Sequence, residues 1–172
     1  AGNPYFIDIE TLIEKKLLTK AEADSFDFGS DAQKIDYEKL YNNRLPLLKL
    51  AFSRFKGDKD YLNFKKENSH WLYEYALFMA LKNENNDKAW SDWEDDLRLH
   101  NPDAIEKKRA ELKEETEFYC FLQYEFMTQW LSLKEYANQN GIKIIGDIPI
   151  FMAIDNCDVW AEKKLFRQQE LS

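Results

Sequence analysis

The stretch NPDAIEKKRAELKEETEFYCFLQYEFMTQWLSLKEYANQNGIKIIGDIPIFMAI, residues 101–154, decides the fold. Asn101 is a favoured helix N-cap, and Pro102 suits the first helical position, where its missing N–H costs nothing and its φ is already helical. No Gly or Pro follows until Gly141, so the spacing predicts one helix over about 102–139, roughly 55 Å long at 1.5 Å per residue. A helix of that length does not fit inside one small domain. Its first half, DAIEKKRAELKEE, is charged with a narrow apolar seam at Ile105 and Leu112, whereas FYCFLQYEFMTQWLSL is apolar on nearly every side. The helix is therefore expected to be solvated near its start and buried near its end. After Gly141 the run IKIIGDIPIFMAI is isoleucine-rich and does not alternate, the pattern of a parallel strand covered on both faces. One strand makes no sheet. The chain thus reads as a piece of a longer α/β protein, with a helical part over 1–140 and a strand with its following loop over 141–172.

Upstream, a helix is expected from Leu45 to Lys56, because Leu48, Ala51, Phe52 and Phe55 recur at i, i+3, i+4 and i+7, and Gly57 ends it. Asp58 can cap a second helix running through Phe64 and Lys66. A third, from Ser69 to Lys82, places Trp71, Tyr75, Phe78 and Met79 on one face, and the three are expected to pack together. At the N-terminus a short apolar run, Tyr5 to Ile9, precedes a small helix over Glu10–Leu18. Ala21–Gln33 is polar and Asp/Ser-rich and reads as a surface connection, and the IDYEKLYNNRLP that follows leaves Tyr41 in a polar loop. The segment NENNDKAWSDWEDDL, with Trp90 and Trp93 three apart, reads as a loop or a short helix. Only 5 Gly and 4 Pro punctuate 172 residues, so the elements are long and the fold class is mainly α.

Composition excludes several functions. Aromatics at 15% beside charged residues at 33% mark a folded chain. The net charge of −8 and the absence of a basic stripe argue against a nucleic-acid partner. Cys120 and Cys157 lie far apart with no ligand spacing, so neither zinc nor a disulfide framework is indicated, and a reducing, cytoplasmic compartment fits. No apolar run approaches the length of a membrane span, and no signal peptide is evident.

Few residues could carry chemistry. Asp147 ends the expected strand, at the end where α/β barrels assemble active sites; an ordinary loop-capping aspartate is the other reading. Glu67-x-x-His70 resembles half of a di-metal helix motif, but around His100 the second half is missing, so no metal and no cofactor are expected. The Glu111, Glu114, Glu115, Glu117 run reads as a solvated face paired with Lys107, Lys108 and Arg109. Trp90 and Trp93 suit a core, while Tyr41 could pack or stack on a sugar ring. No phosphate loop or nucleophile elbow is present, and Cys157 in DNCDVW reads as inert.

Taken in order, AGNPYFIDIETLIEKKLL, IDYEKLY, FKKENSHWLYEYALFMALK, AWSDWEDDLRL and FYCFLQYEFMTQWLSLKEYANQNGIKIIGDIPIFMAIDNCDVWAEKKLF resemble the 4-α-glucanotransferases of glycoside hydrolase family 77, the amylomaltase and disproportionating enzymes. GDIPIF followed closely by DVW is the most specific part. The resemblance implies the helical insertion subdomains of a (β/α)8 barrel enzyme, with one or a few barrel-derived strands near the C-terminus. It implies that Asp147 supports the catalytic centre without attacking the sugar. Tyr41 matches a tyrosine of a secondary glucan-binding groove, and Asp155, Asp158 and Trp160 match a loop beside the active site. Cys157 with Asn156 departs from the family, which more often has Ser and a small residue there. The implied reaction is retaining transfer of α-1,4-glucan segments between maltooligosaccharides or starch- or glycogen-derived glucans. Such chemistry needs two carboxyl groups about 5 Å apart. In the family both come from later strands, so this stretch alone is expected to be inactive. Two further readings stay open, a helical protein-interaction adaptor and a non-catalytic carbohydrate-binding module. Uncovered apolar surface would also favour self-association of the isolated chain.

Overall fold

The computed structural model describes residues 1–31, 33–147 and 151–166. They are mainly helical and fall into two compact units. The first is built from Ala1–Lys66 and Phe121–Ile142, the second from Glu67–Cys120 and the segment from Lys143 onward.

In the first unit, α1 (Ile9–Glu14) is capped by Asp8, whose side chain accepts from the Thr11 N–H. The first part of the stretch expected to be an open connection instead forms α2 (Lys20–Ser25), started by a reciprocal capping box in which Thr19 and Glu22 satisfy each other's backbone N–H, while 26–31 is irregular as expected. The Arg54 guanidinium grips the Glu22 carboxylate at 2.5 and 2.7 Å and, with the bonds from Thr19, holds its pKa down at about 2. Next, α3 (Tyr37–Arg54) begins eight residues before its expected start, with Asp36 as N-cap, and carries Pro46 inside. Proline removes one helical hydrogen bond, but Leu47, Leu48 and Ala51 are fully buried beyond it, and this packing outweighs the local cost. A third helix of this unit, α4 (Lys59–Glu67), starts where Asp58 accepts from the Tyr61 N–H at 2.8 Å, as expected.

The second unit begins with α5 (Ser69–Glu84). Its dry face is broader than the expected stripe: Leu72, Ala76, Leu77, Phe78, Ala80 and Leu81 are buried, while Trp71, Tyr75 and Met79 are only partly so. Of the three helices expected together, α3 and α4 belong to the first unit and α5 to the second. A single 3-10 turn, Trp90–Asp92, and α6 (Asp95–Arg98) occupy the Trp-containing segment. Their Trp90, Trp93 and Leu97 join Leu77, Phe78, Leu81, Ile105, Val159 and Trp160 in one apolar core.

The long helix is interrupted. Asn101 and Pro102 start α7 (Pro102–Glu111) as predicted, but Leu112 leaves helical geometry at φ −100°, ψ 25° before α8 (Lys113–Gln139) continues. No Gly or Pro marks this site. Leu112 packs against the tryptophan core, so the cause is tertiary. Gly141, at φ 74°, then closes α8 with two bonds, Ile142 N–H to the Ala137 carbonyl at 2.9 Å and Gly141 N–H to the Asn138 carbonyl at 3.0 Å. This left-handed C-terminal cap suits glycine.

Burial along α8 differs from expectation. Its middle is dry, with Phe118 through Gln123 and Glu125 buried, but Leu131, Leu133 and Tyr136 near its end are more than half exposed. Residues 142–147 form no strand, and Ile142 and Ile145 are exposed at 59% and 92%. A strand exists only against a partner ladder, and none is present among the described residues. Phe151, expected to be covered, is 90% exposed. Ile148, Pro149 and Ile150, within the expected strand, and residues 167–172 of the polar tail lie outside the described residues. A short helix, α9 (Cys157–Ala161), follows.

Replacing Thr19 with Ala removes one half of the capping box at the start of α2 and should lower stability by about 1 kcal/mol, read as a lower midpoint in urea unfolding with an unchanged slope.

Candidate functional site

Tyr41 is the candidate of the first unit. It sits on α3, not in a loop, and is 54% exposed. One turn earlier Tyr37 stands at 6.0 Å, and Tyr5 meets the Tyr41 ring edge-on at 5.2 Å. Tyr5 was not singled out by the sequence, because only the fold brings it to α3. Three sets of hydrogen bonds fix its position. The Arg44 guanidinium donates to the Tyr5 and Ile7 carbonyls. Gln123 of α8 closes a pair of bonds with the Gly2 backbone at 2.7 and 2.9 Å, and Gln129 does the same with Asp8 at 2.6 and 3.3 Å. Any side chain at Gly2 would run into the Phe126 ring. Tyr41 is thus held beside Tyr5 and Tyr37 with more than half of its surface open to solvent, an aromatic surface of the kind that can pack against a sugar ring.

The acidic candidates lie in the second unit. Asp147 is exposed at the end of the extended segment. Asp155 is bound: its carboxylate accepts from the Lys82 ammonium at 2.7 Å and from the Trp90 N–H at 3.2 Å. Beside it the Trp90 indole donates to the Ile154 carbonyl at 2.7 Å. The Asn156 side chain caps α9 by accepting from the Asp158 N–H, and Asp158 is exposed in the first turn. Trp160 is fully buried, its indole donating to the Leu97 carbonyl at 2.8 Å. It packs edge-on against Trp93 at 5.6 Å and His100 at 4.5 Å. With no exposed face, Trp160 serves here as the anchor of the loop. The loop therefore presents Asp158 and part of Asp155, held from below by tryptophans.

Beneath it, Glu74 of α5 accepts from His100 at 3.2 Å and pairs with Arg109. The His100 hydrogen bond and the Arg109 charge hold its carboxyl below the usual glutamate range, against the opposing effect of burial. This explains His100, which the sequence left without a role. His70 and Glu67 are both exposed, and among the described residues no group of three or more His, Cys, Asp or Glu could hold a metal ion. Burial, together with the Asp158 and Glu74 charges, pushes the Cys157 thiol up to about 12.

By fold this is a mainly helical chain that carries an acidic loop on a tryptophan core. The family model described as 4-alpha-glucanotransferase matches residues 1–171. A 4-alpha-glucanotransferase of Clostridium butyricum is 44% identical over 96% of this chain and 34% of its own length. The one from Thermus thermophilus is 38% identical over 99% of this chain and 34% of its own length. The solved structure of the amylomaltase from Streptococcus agalactiae in complex with acarbose superposes with a TM-score of 0.92, at 33% identity, over 99% of this chain and 35% of that one. The chain belongs to the 4-alpha-glucanotransferase family, glycoside hydrolase family 77. It spans about a third of the length of the relatives it matches.

Two outcomes follow from this geometry. A thiol of pKa about 12 is almost wholly protonated at pH 8, and Cys120 is fully buried, so neither cysteine should react with a thiol reagent in native protein at pH 8, whereas both should in urea. Because the folded pKa of Glu74 lies below its ordinary 4.5, its contribution to stability is complete above that value and is lost as pH falls through the lower folded value. Acid unfolding of Glu74→Gln should accordingly begin from a lower stability at neutral pH and change less steeply below about pH 4.5.

Proposed function

We propose that the protein containing this chain transfers α-1,4-glucan segments between maltooligosaccharides with retention, and that this chain supplies its helical subdomains, over 1–140, and a barrel strand with its active-site loop, over 141–172. Family membership along the whole chain carries the reading. The exposed, extended run from Ile142 to Ile145 supports it, because an apolar run without a ladder is a ready edge for other strands. The exposed Leu131, Leu133 and Tyr136 of α8 offer a face for the helices of a (β/α)8 barrel to cover. A non-catalytic adaptor is not favoured, since the family match takes in the extended segment and its loop as well as the helices.

In this reading Asp147, at the C-terminal end of the strand, is the supporting carboxylate that steadies positive charge developing on the sugar. The nucleophile and the acid/base group come from other strands, about 5 Å apart. Asp158 and the accessible edge of Asp155 border the glucan, with Trp160 holding their loop. Tyr41 with Tyr5 stacks on a glucan at a secondary groove. The substrates are maltooligosaccharides and starch- or glycogen-derived glucans. No helix among the described residues is long and apolar enough to cross a membrane, and the two free thiols suit a cytoplasmic enzyme of maltodextrin metabolism.

Incubation of the full-length protein with maltotriose should release glucose and longer maltooligosaccharides, and Asp147→Asn should lower kcat by about 100-fold. Residues 1–172 alone should leave maltotriose unchanged. A full-length protein that transfers no glucan would sink the proposal.

A further inference from the structure

The Lys82 side chain is 13% exposed and lies on α5, in a stretch of sequence that carries none of the residues marked for function. All of its bonding capacity converges on two loops. It donates to the Asp87 carbonyl at 2.8 Å, to the Lys88 carbonyl at 3.0 Å and to the Asp155 carboxylate at 2.7 Å. An ammonium has three protons, and these three acceptors use them. Asp87 adopts a left-handed φ of 59° and Asn86 one of 53°, so the bend that brings both carbonyls to Lys82 is one that non-glycine residues rarely adopt. The other Asp155 oxygen takes the Trp90 N–H, and the Trp90 ring in turn holds the Ile154 carbonyl. A second cation, Lys163, stands 4.7 Å over that ring and donates to the Arg98 carbonyl.

Together these contacts form a clamp around the acidic loop. At one end the loop is held by Lys82 and Trp90, and at the other by Trp160 on the Leu97 carbonyl. Between them stands Asp158, exposed.

We propose that Lys82 is a positioning residue for the glucan site, fixing the loop that carries Asp155 and Asp158 through its ion pair with Asp155. This inference rests on the glucan-transfer reading and assigns Lys82 no contact with substrate. The Asp155 side chain keeps 39% of its surface exposed, but the ammonium is largely shielded and is fixed by two backbone carbonyls as well, so the pair holds one geometry where a pair of two free surface side chains would not. Arginine would keep the charge, but its planar fork does not match three acceptors converging on one point. Methionine would keep the stem and leave two carbonyls and a carboxylate without their donor.

The test uses the full-length protein and maltotriose kinetics. Lys82→Met and Asp155→Asn should each raise KM by about 10-fold with a smaller change in kcat, because a loosened loop misplaces the sugar before chemistry begins. The double variant should be no worse than the more affected single variant, as expected when both changes break one interaction. Lys82→Arg should recover part of the loss. Asp155→Asn leaves the Lys82 bonds to the two carbonyls in place, so an unchanged KM in it overturns the role even if Lys82→Met fails to fold, while the double variant separates loss of the pair from loss of a direct Asp155 contact with the sugar. Wild-type transfer with unchanged KM in Asp155→Asn, or additive effects in the double variant, would overturn the role of Lys82 and leave the glucan-transfer reading standing. Absence of transfer by the wild-type protein would overturn that reading itself.

Discussion

The middle of α8 is the constraint around which the first unit is organised. From Phe121 to Gln123 every side chain is buried, as is Glu125, so this part of the helix needs neighbours on all sides. Phe121 takes the Phe52 and Phe55 rings at 5.5 and 4.8 Å, and Tyr124 those of Phe55, Tyr61 and Phe64. Two buried polar side chains then dictate what else must come close. Gln123 can be dry only where a backbone amide offers both a donor and an acceptor, which Gly2 does. Glu125 can be dry only beside a cation, and Lys15 stands at 2.7 Å. The path of the N-terminal segment, and with it the place of Tyr5 beside Tyr41, follows from these requirements.

The second unit solves a different problem, holding an acidic loop in place by helices and their side chains alone among the described residues. Its means are the large indoles of Trp90, Trp93 and Trp160, each with its N–H satisfied by a backbone carbonyl. An indole in a core contributes area and one directed bond at once. Two of these bonds end on loop residues or hold a loop residue, so apolar burial and loop geometry are the same interaction. Truncation of Trp160 to Ala would remove both, at a cost of about 3–5 kcal/mol for a large core aromatic. Glu74, His100 and Arg109 close the polar side of this core.

Much of the helical architecture was legible in the sequence. Asn101-Pro102 and Gly141 mark their helix ends by local chemistry alone, as does Asp58, because a cap acts within three or four residues of itself. The departures share a cause. The start of α3 was hidden because Pro46 suggests a boundary, and buried Leu47, Leu48 and Ala51 override it. Helix α2 was hidden because Thr19 and Glu22 stand in a polar stretch that looks like a connection. The interruption at Leu112 has no local signal at all.

The sequence by itself determined the family, through motifs such as GDIPIF followed by DVW, and it determined the helical class, since few glycines and prolines leave long uninterrupted elements. Through the same resemblance it named Asp155, Asp158 and Trp160 as members of one loop. Only the tertiary structure decided what each does there. Trp160 turned inward as the anchor, Asp155 was taken up by Lys82, 73 residues away, and Asp158 was left facing solvent. Such assignments depend on which distant donor reaches which acceptor, and that is settled by how helices pack, not by the local pattern that a sequence displays.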